Sequence, residues 1–190
     1  LLKSDPVFQA KHKLIEESNI AIFRNHDHVH RQNYDAITKA LVEVFGWQDY
    51  EVESTFTSTI LSLNSPISLK DAISHIKLSL DIDHVRYVGN LDTSCRRIGV
   101  LVGYRGSAEN VLPLIAEKEL DLVIYGEGPE WETPEYFRDA MYLGMDKALI
   151  VLGHAESEIP GMENMAKKLQ QKYPDIPVHF IKDETIFNID

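Results

Sequence analysis

Ile98-Gly99-Val100-Leu101-Val102 followed by Gly103-Tyr104-Arg105-Gly106-Ser107 sets the pattern of this chain: a short apolar run that ends in a glycine-bounded turn. Such a run reads as a buried strand, and the turn leads into a helix expected to reach about Lys118. The rhythm then repeats. Leu120 to Tyr125 is a strand, Thr133-Pro134 opens a helix to Leu143, and Lys147 to Leu152 is a strand. Pro160-Gly161 leads into a helix to Lys172, and Val178 to Ile181 is the last strand. Strand and helix alternating at this spacing imply βαβ crossovers in a largely parallel or mixed sheet covered on both faces, a three-layer α/β/α fold.

Upstream the pattern is less regular. Asp5-Pro6 caps an amphipathic helix from Val7 to Glu17, and Ile20-Ala21-Ile22-Phe23 is a short strand of buried type. Tyr34, Ile37, Ala40, Leu41, Val44 and Phe45 recur at helical spacing until Gly46 stops them. Residues 50 to 63 carry strand-forming positions, Ser65-Pro66 is a break, Ser68 caps a helix to about Leu80, and Val85 to Val88 is a strand. The whole of 1–190 is read as one α/β unit, with a sub-boundary near 90–97 where the irregular half meets the regular one.

With 44% hydrophobic and 26% charged residues, a chain of 190 residues buries a core without disulfide staples. Cys95 is the single cysteine, so no intramolecular bridge forms, and a reducing, cytoplasmic setting is the simpler expectation. The formal net charge of -11 argues against nucleic acid as the main partner and favours cations in any carboxylate-lined cleft. No apolar run approaches the roughly 20 residues of a membrane span, and no signal peptide is visible.

In parallel sheets the reactive groups sit just past the carboxyl ends of strands. Four loops therefore matter: His26 to His30, Gly103 to Ser107, Gly126 to Glu132, and Gly153 to Glu158. In the last of these, His154 and Glu158 stand four apart and can reach one cation, an N/O pair that suits zinc, iron, manganese or nickel rather than calcium. The competing reading is a solvated turn before the Pro160 helix. His26-Asp27-His28-Val29-His30 gathers three of the eight histidines, which strand geometry would place on one face. Spacing alone does not choose among His26, His28 and His30, and an exposed polar loop is the plain alternative. In Gly126-Glu127-Gly128-Pro129-Glu130-Trp131-Glu132, Glu127 is the best candidate for a general base or further ligand. The Gly103 loop has one arginine but lacks both the P-loop ending and the third dinucleotide glycine, so a tight turn is its default. An inert thiol is the default for Cys95.

The elements Asp121-Leu122-Val123-Ile124-Tyr125-Gly126-Glu127 and Leu152-Gly153-His154-Ala155-Glu156-Ser157-Glu158, with Gly161-Met162, resemble one family in its carboxyl half. It is the Ngg-one-interacting-factor-three-like family of hexameric dinuclear-metal-centre proteins, also labelled GTP cyclohydrolase I type 2 homologues. The resemblance spans about Ile98 to Ile181, with a weaker match from Pro6 to His30. It implies that His154 and Glu158 are metal ligands, Glu158 bridging two ions, with Glu127 close by. The family's "His-Thr-Asn-x-Asp" element matches His26 to His30 here, so His30 stands where the ligand Asp would be. Imidazole binds the same metals. The candidate ligands are thus His154, Glu158, His30 and His26, with Glu127 as candidate catalytic base. The family's "His-His-Pro" element is absent, which together with Leu1 in place of an initiator Met leads to the expectation of a further amino-terminal segment. The expected activity is metal-assisted hydrolysis of a nucleotide or related small molecule by a hexamer, and the rival is a non-enzymatic metal-binding scaffold.

Overall fold

The computed structural model describes residues 2–30, 34–183 and 186–187. Strands β1 (Glu51–Ser54), β2 (Thr59–Ser68), β3 (Arg86–Val88), β4 (Ser94–Val100), β5 (Leu122–Tyr125) and β6 (Ala148–Val151) form one sheet in the order β1-β2-β4-β5-β6-β3. The sheet is mixed: β4, β5 and β6 run parallel to one another, whereas β1 and β2 on one flank and β3 on the other are antiparallel to their neighbours.

The continuous apolar runs are explained by what lies on each face. Successive side chains of a strand point to opposite sides. Leu122 and Ile124 of β5, with Ile150 of β6, join the core packed by α3 (Ala36–Val44) and α4 (Leu69–Leu80). Their neighbours Val123, Tyr125, Leu149 and Val151 join a second core under α5 (Ala108–Lys118) and α6 (Thr133–Tyr142). With α7 (His154–Lys172) laid along α3, the three-layer α/β/α arrangement is complete. No helix among the described residues is long and apolar enough to cross a membrane.

Helix boundaries follow their caps. Asp5 accepts from the Phe8 amide to start α1 (Pro6–Glu17), and Ser68 accepts from the Asp71 amide to start α4.

Four expectations are corrected. Ile20 to Phe23 forms no strand and lies open, with Phe23 at 86% exposure, and α1 before it buries none of its residues. Apolar composition alone does not make a strand when no strand edge lies alongside to pair with it. Val178 to Ile181 is not a strand either. The edge of β6 that a final parallel strand would need is taken by β3, and the Val178 amide donates instead to the Gln170 side chain at 2.9 Å. Pro66 does not end β2. It sits between Ser62 and Ile67, where the register with β4 shifts, and a residue without an N–H is tolerated at such an irregularity. Finally, α7 begins at His154, six residues ahead of Pro160.

Candidate metal centre

Three strand-end loops are laced together by backbone hydrogen bonds. After β4, the Gly103 carbonyl accepts from the Glu127 amide at 2.8 Å and the Gly106 amide donates to the Glu127 carbonyl at 2.9 Å. After β6, the Gly153 amide donates to the Gly126 carbonyl at 2.9 Å. Ser157, fully buried in the first turn of α7, joins them through its hydroxyl. It accepts from the Gly103 amide at 2.9 Å and donates to the His154 carbonyl at 2.7 Å. The convergence expected from the sequence is therefore real for these three loops. The fourth loop arrives differently: Asp27–His30 is a helical turn, α2, not a strand continuation.

His154 and Glu158 stand one turn apart on α7 and face the same cleft, with Nε2 of His154 3.4 Å from Oε1 of Glu158. His30 faces it from α2, its Nε2 3.8 Å from the same oxygen. His26 lies at the rim, its ring 4.9 Å from that of His30 and its Nδ1 2.8 Å from Asp27. His28 is exposed and does not line the cleft. The cleft holds about 260 Å³ and is lined on its other sides by Phe56, Thr57, Tyr104 and Arg105.

Both inward histidines are held from behind by a carboxylate. Nδ1 of His154 lies 2.9 Å from Oε2 of Glu127, and Nδ1 of His30 lies 3.2 Å from each oxygen of Asp35. Glu127 is thus placed as the partner of His154. The other two loop carboxylates are committed elsewhere: Glu130 pairs with Arg86, and Glu132 accepts from the Ala108 amide at the start of α5.

Asp35 is the residue that spacing did not single out. It precedes the apolar run of α3, a signal that finds a helix cap, and its Oδ1 does accept from the Ile37 amide. Its second role needed the fold: Arg105, seventy positions away, pairs with the same carboxylate. Burial by itself raises the Asp35 carboxyl, but His30, the Arg105 guanidinium and the Ile37 amide outweigh it and hold the group at about 2. Arg105 also donates to the Thr57 carbonyl. The one arginine of the Gly103 loop is thus committed to Asp35 and Thr57 while it lines the cleft. Cys95 is fully buried, and burial together with the Asp121 charge pushes its thiol up to about 12, as expected of an inert cysteine.

Two donors about 2.0–2.1 Å from one ion at a tetrahedral angle stand roughly 3.4 Å apart. The His154–Glu158 separation matches that edge and the His30–Glu158 separation exceeds it. Among the described residues no group of three or more His, Cys, Asp or Glu side chains stands close enough together to hold a metal ion as the side chains lie. Room for an ion comes from Gly103, whose φ is +58° and where a Cβ would lie 2.3 Å from Oε1 of Glu158 and 3.2 Å from Nε2 of His154.

The family model described as Duf34/NIF3 (NGG1p interacting factor 3) matches residues 2–186. A protein of Clostridium acetobutylicum named GTP cyclohydrolase 1 type 2 homolog is 24% identical over 164 residues, covering 82% of this chain and 58% of that protein. A protein of the same name from Clostridium perfringens is 25% identical, covering 64% of this chain and 43% of the relative. The chain thus spans about half the length of these curated relatives. Among solved structures, a hypothetical protein of Staphylococcus aureus superposes with a TM-score of 0.72 at 17% identity, over 100% of this chain and 75% of that one. That likeness shows the fold alone.

Proposed function

The chain belongs to the Duf34/NIF3 family, and from that premise and the geometry of its cleft we propose that it binds a divalent transition-metal ion and serves as a metal-dependent hydrolase of a nucleotide or related small molecule. One observation carries the metal reading: Nε2 of His154 and Nε2 of His30 are both aimed at a single Glu158 oxygen, each ring held at Nδ1 by a carboxylate. A carboxylate behind a histidine is the usual support of a metal-binding imidazole, because it fixes the ring and raises its basicity. Two imidazoles and a carboxylate suit zinc, iron, manganese or nickel, and Gly103 leaves the space.

The residues that would hold the ion are His154, Glu158 and His30, with His26 at the rim. A bound divalent cation supplies Lewis acidity, polarising a substrate oxygen or making water more acidic. Glu127, 2.9 Å from Nδ1 of His154, can accept from that nitrogen in the tautomer that leaves Nε2 free for an ion. Ser157 fixes the first turn of α7 to the Gly103 loop, which keeps His154 and Glu158 on the cleft side. The nucleotide is placed first among substrates because the curated relatives carry the name of a GTP cyclohydrolase homologue.

The test is metal content by elemental analysis of the wild type, His154→Ala and Glu158→Ala, with circular dichroism to verify folding. Both variants should lose bound metal while remaining folded. Unchanged stoichiometry in both removes the ligand assignment. Bound metal without turnover across nucleotides and phosphoesters leaves the non-enzymatic scaffold as the better reading.

A further inference from the structure

We propose that Asp35 is a positioning residue that fixes the tautomer of His30, holding the proton on Nδ1 so that Nε2 presents its lone pair to the cleft. The inference rests on reading His30 as a metal ligand for its consequence, but its geometry stands without that reading. Nδ1 of His30 is 3.2 Å from Oδ1 and 3.2 Å from Oδ2 of Asp35, and also 3.2 Å from Nη2 of Arg105. A guanidinium can only donate, an ionised carboxylate can only accept, and a neutral imidazole carries one N–H. The two contacts therefore exclude each other as hydrogen bonds. If Nδ1 donates to Asp35, the free lone pair is on Nε2. If Nδ1 accepts from Arg105, the proton moves to Nε2 and that nitrogen cannot bind a cation.

Three features favour the first arrangement. Asp35 offers two oxygens to Nδ1 where Arg105 offers one nitrogen. The carboxylate cannot turn away, because it is 1% exposed and also accepts from the Ile37 amide at 3.0 Å, from the Thr38 hydroxyl at 2.9 Å, and from Nη1 of Arg105. On the far side of the ring, Nε2 is 3.8 Å from Glu158, too far for a proton there to make a hydrogen bond. An N–H at Nε2 would therefore gain no side-chain acceptor from Glu158, whereas one at Nδ1 gains the Asp35 carboxylate. Arg105 thus acts on Asp35, keeping the carboxylate paired and in place.

The experiment is a long-range proton–nitrogen correlation spectrum of the full chain, uniformly ¹⁵N-labelled and metal-free. It is recorded near pH 8, where an imidazole of ordinary pKa about 6.5 is neutral. His30 should show a protonated Nδ1 and an unprotonated Nε2. In Asp35→Asn, which keeps a competent helix cap, the Arg105 contact prevails and the pattern should invert. Zinc affinity should fall by roughly 10- to 100-fold with the fold intact by circular dichroism. A wild-type His30 protonated on Nε2 overturns the proposal, as does a folded Asp35→Asn with an unchanged pattern. The wild-type spectrum decides the matter by itself if the variant does not fold. Inversion in the variant, with no zinc bound by either protein, upholds the role of Asp35 and removes the metal reading instead.

Discussion

At Asp35 a single buried carboxylate caps α3, orients a histidine and pairs an arginine, and its acidity follows from those duties. The group titrates at about 2 against 3.8 in a free side chain, so the unfolded chain binds the more protons between those values. Its contribution to stability is therefore complete above pH about 4 and lost as pH falls towards 2, on the order of 2 kcal/mol in all. Urea unfolding of the wild type and Asp35→Asn should show a stability difference that shrinks by about that amount between pH 5 and pH 2.5. A difference independent of pH would mean that the carboxylate is not held ionised by its neighbours. None of this was legible from spacing. His154 and Glu158 could be named because a His and a Glu four apart, just past a strand end, can reach one neighbour. Asp35 and Arg105 meet only after α3, α4 and strands β1 to β4 have folded between them, and neither residue type signals the other.

Among the elements, α7 explains why the pair was legible in identity but not in setting. Pro160 looks like a helix start, since proline suits a first turn, yet α7 starts earlier and carries Pro160 inside it. What holds the early turn is Ser157, buried and bonded on both sides. Replacing it by Ala leaves the Gly103 amide without an acceptor, and losses of this kind cost about 1–3 kcal/mol. Ser157→Ala should lower the urea midpoint correspondingly and weaken zinc binding in the folded protein, because the first turn of α7 presents both His154 and Glu158. A midpoint equal to that of the wild type would show that the bridge is dispensable. The strands tell the complementary story. β5 and β6 were plain because they are apolar on both faces, whereas Ile20–Phe23 and Val178–Ile181 are also mostly apolar and form no strand. A strand is a property of two chains of backbone, and local sequence reports only one of them.

For the whole molecule, the family resemblance carries an expectation of a hexamer, and closed symmetry is the usual form of such assemblies. The open surface of α1, the segment around Phe23, and Tyr142 and Leu143 at the end of α6 offer apolar area that a lone chain leaves in water. Light scattering at micromolar concentration should give a mass several times the 21.7 kDa of one chain. A clean monomer would remove the carry-over from the family. The layer order was readable because alternating strands and helices admit few arrangements. The antiparallel flanks were not, since nothing in a short strand states the direction of its neighbour. The lacing of the Gly103, Gly126 and Gly153 loops has a last consequence, for tolerance of length change. Loops beyond strand ends ordinarily accept insertions, because their backbones answer only to solvent. Here Glu127 is bonded to Gly103 and Gly106, and Gly153 to Gly126. One residue added to any of the three would put the others out of step and draw His154 and Glu158 away from His30. The most exposed-looking edge of the sheet is therefore the part of the chain least free to change its length.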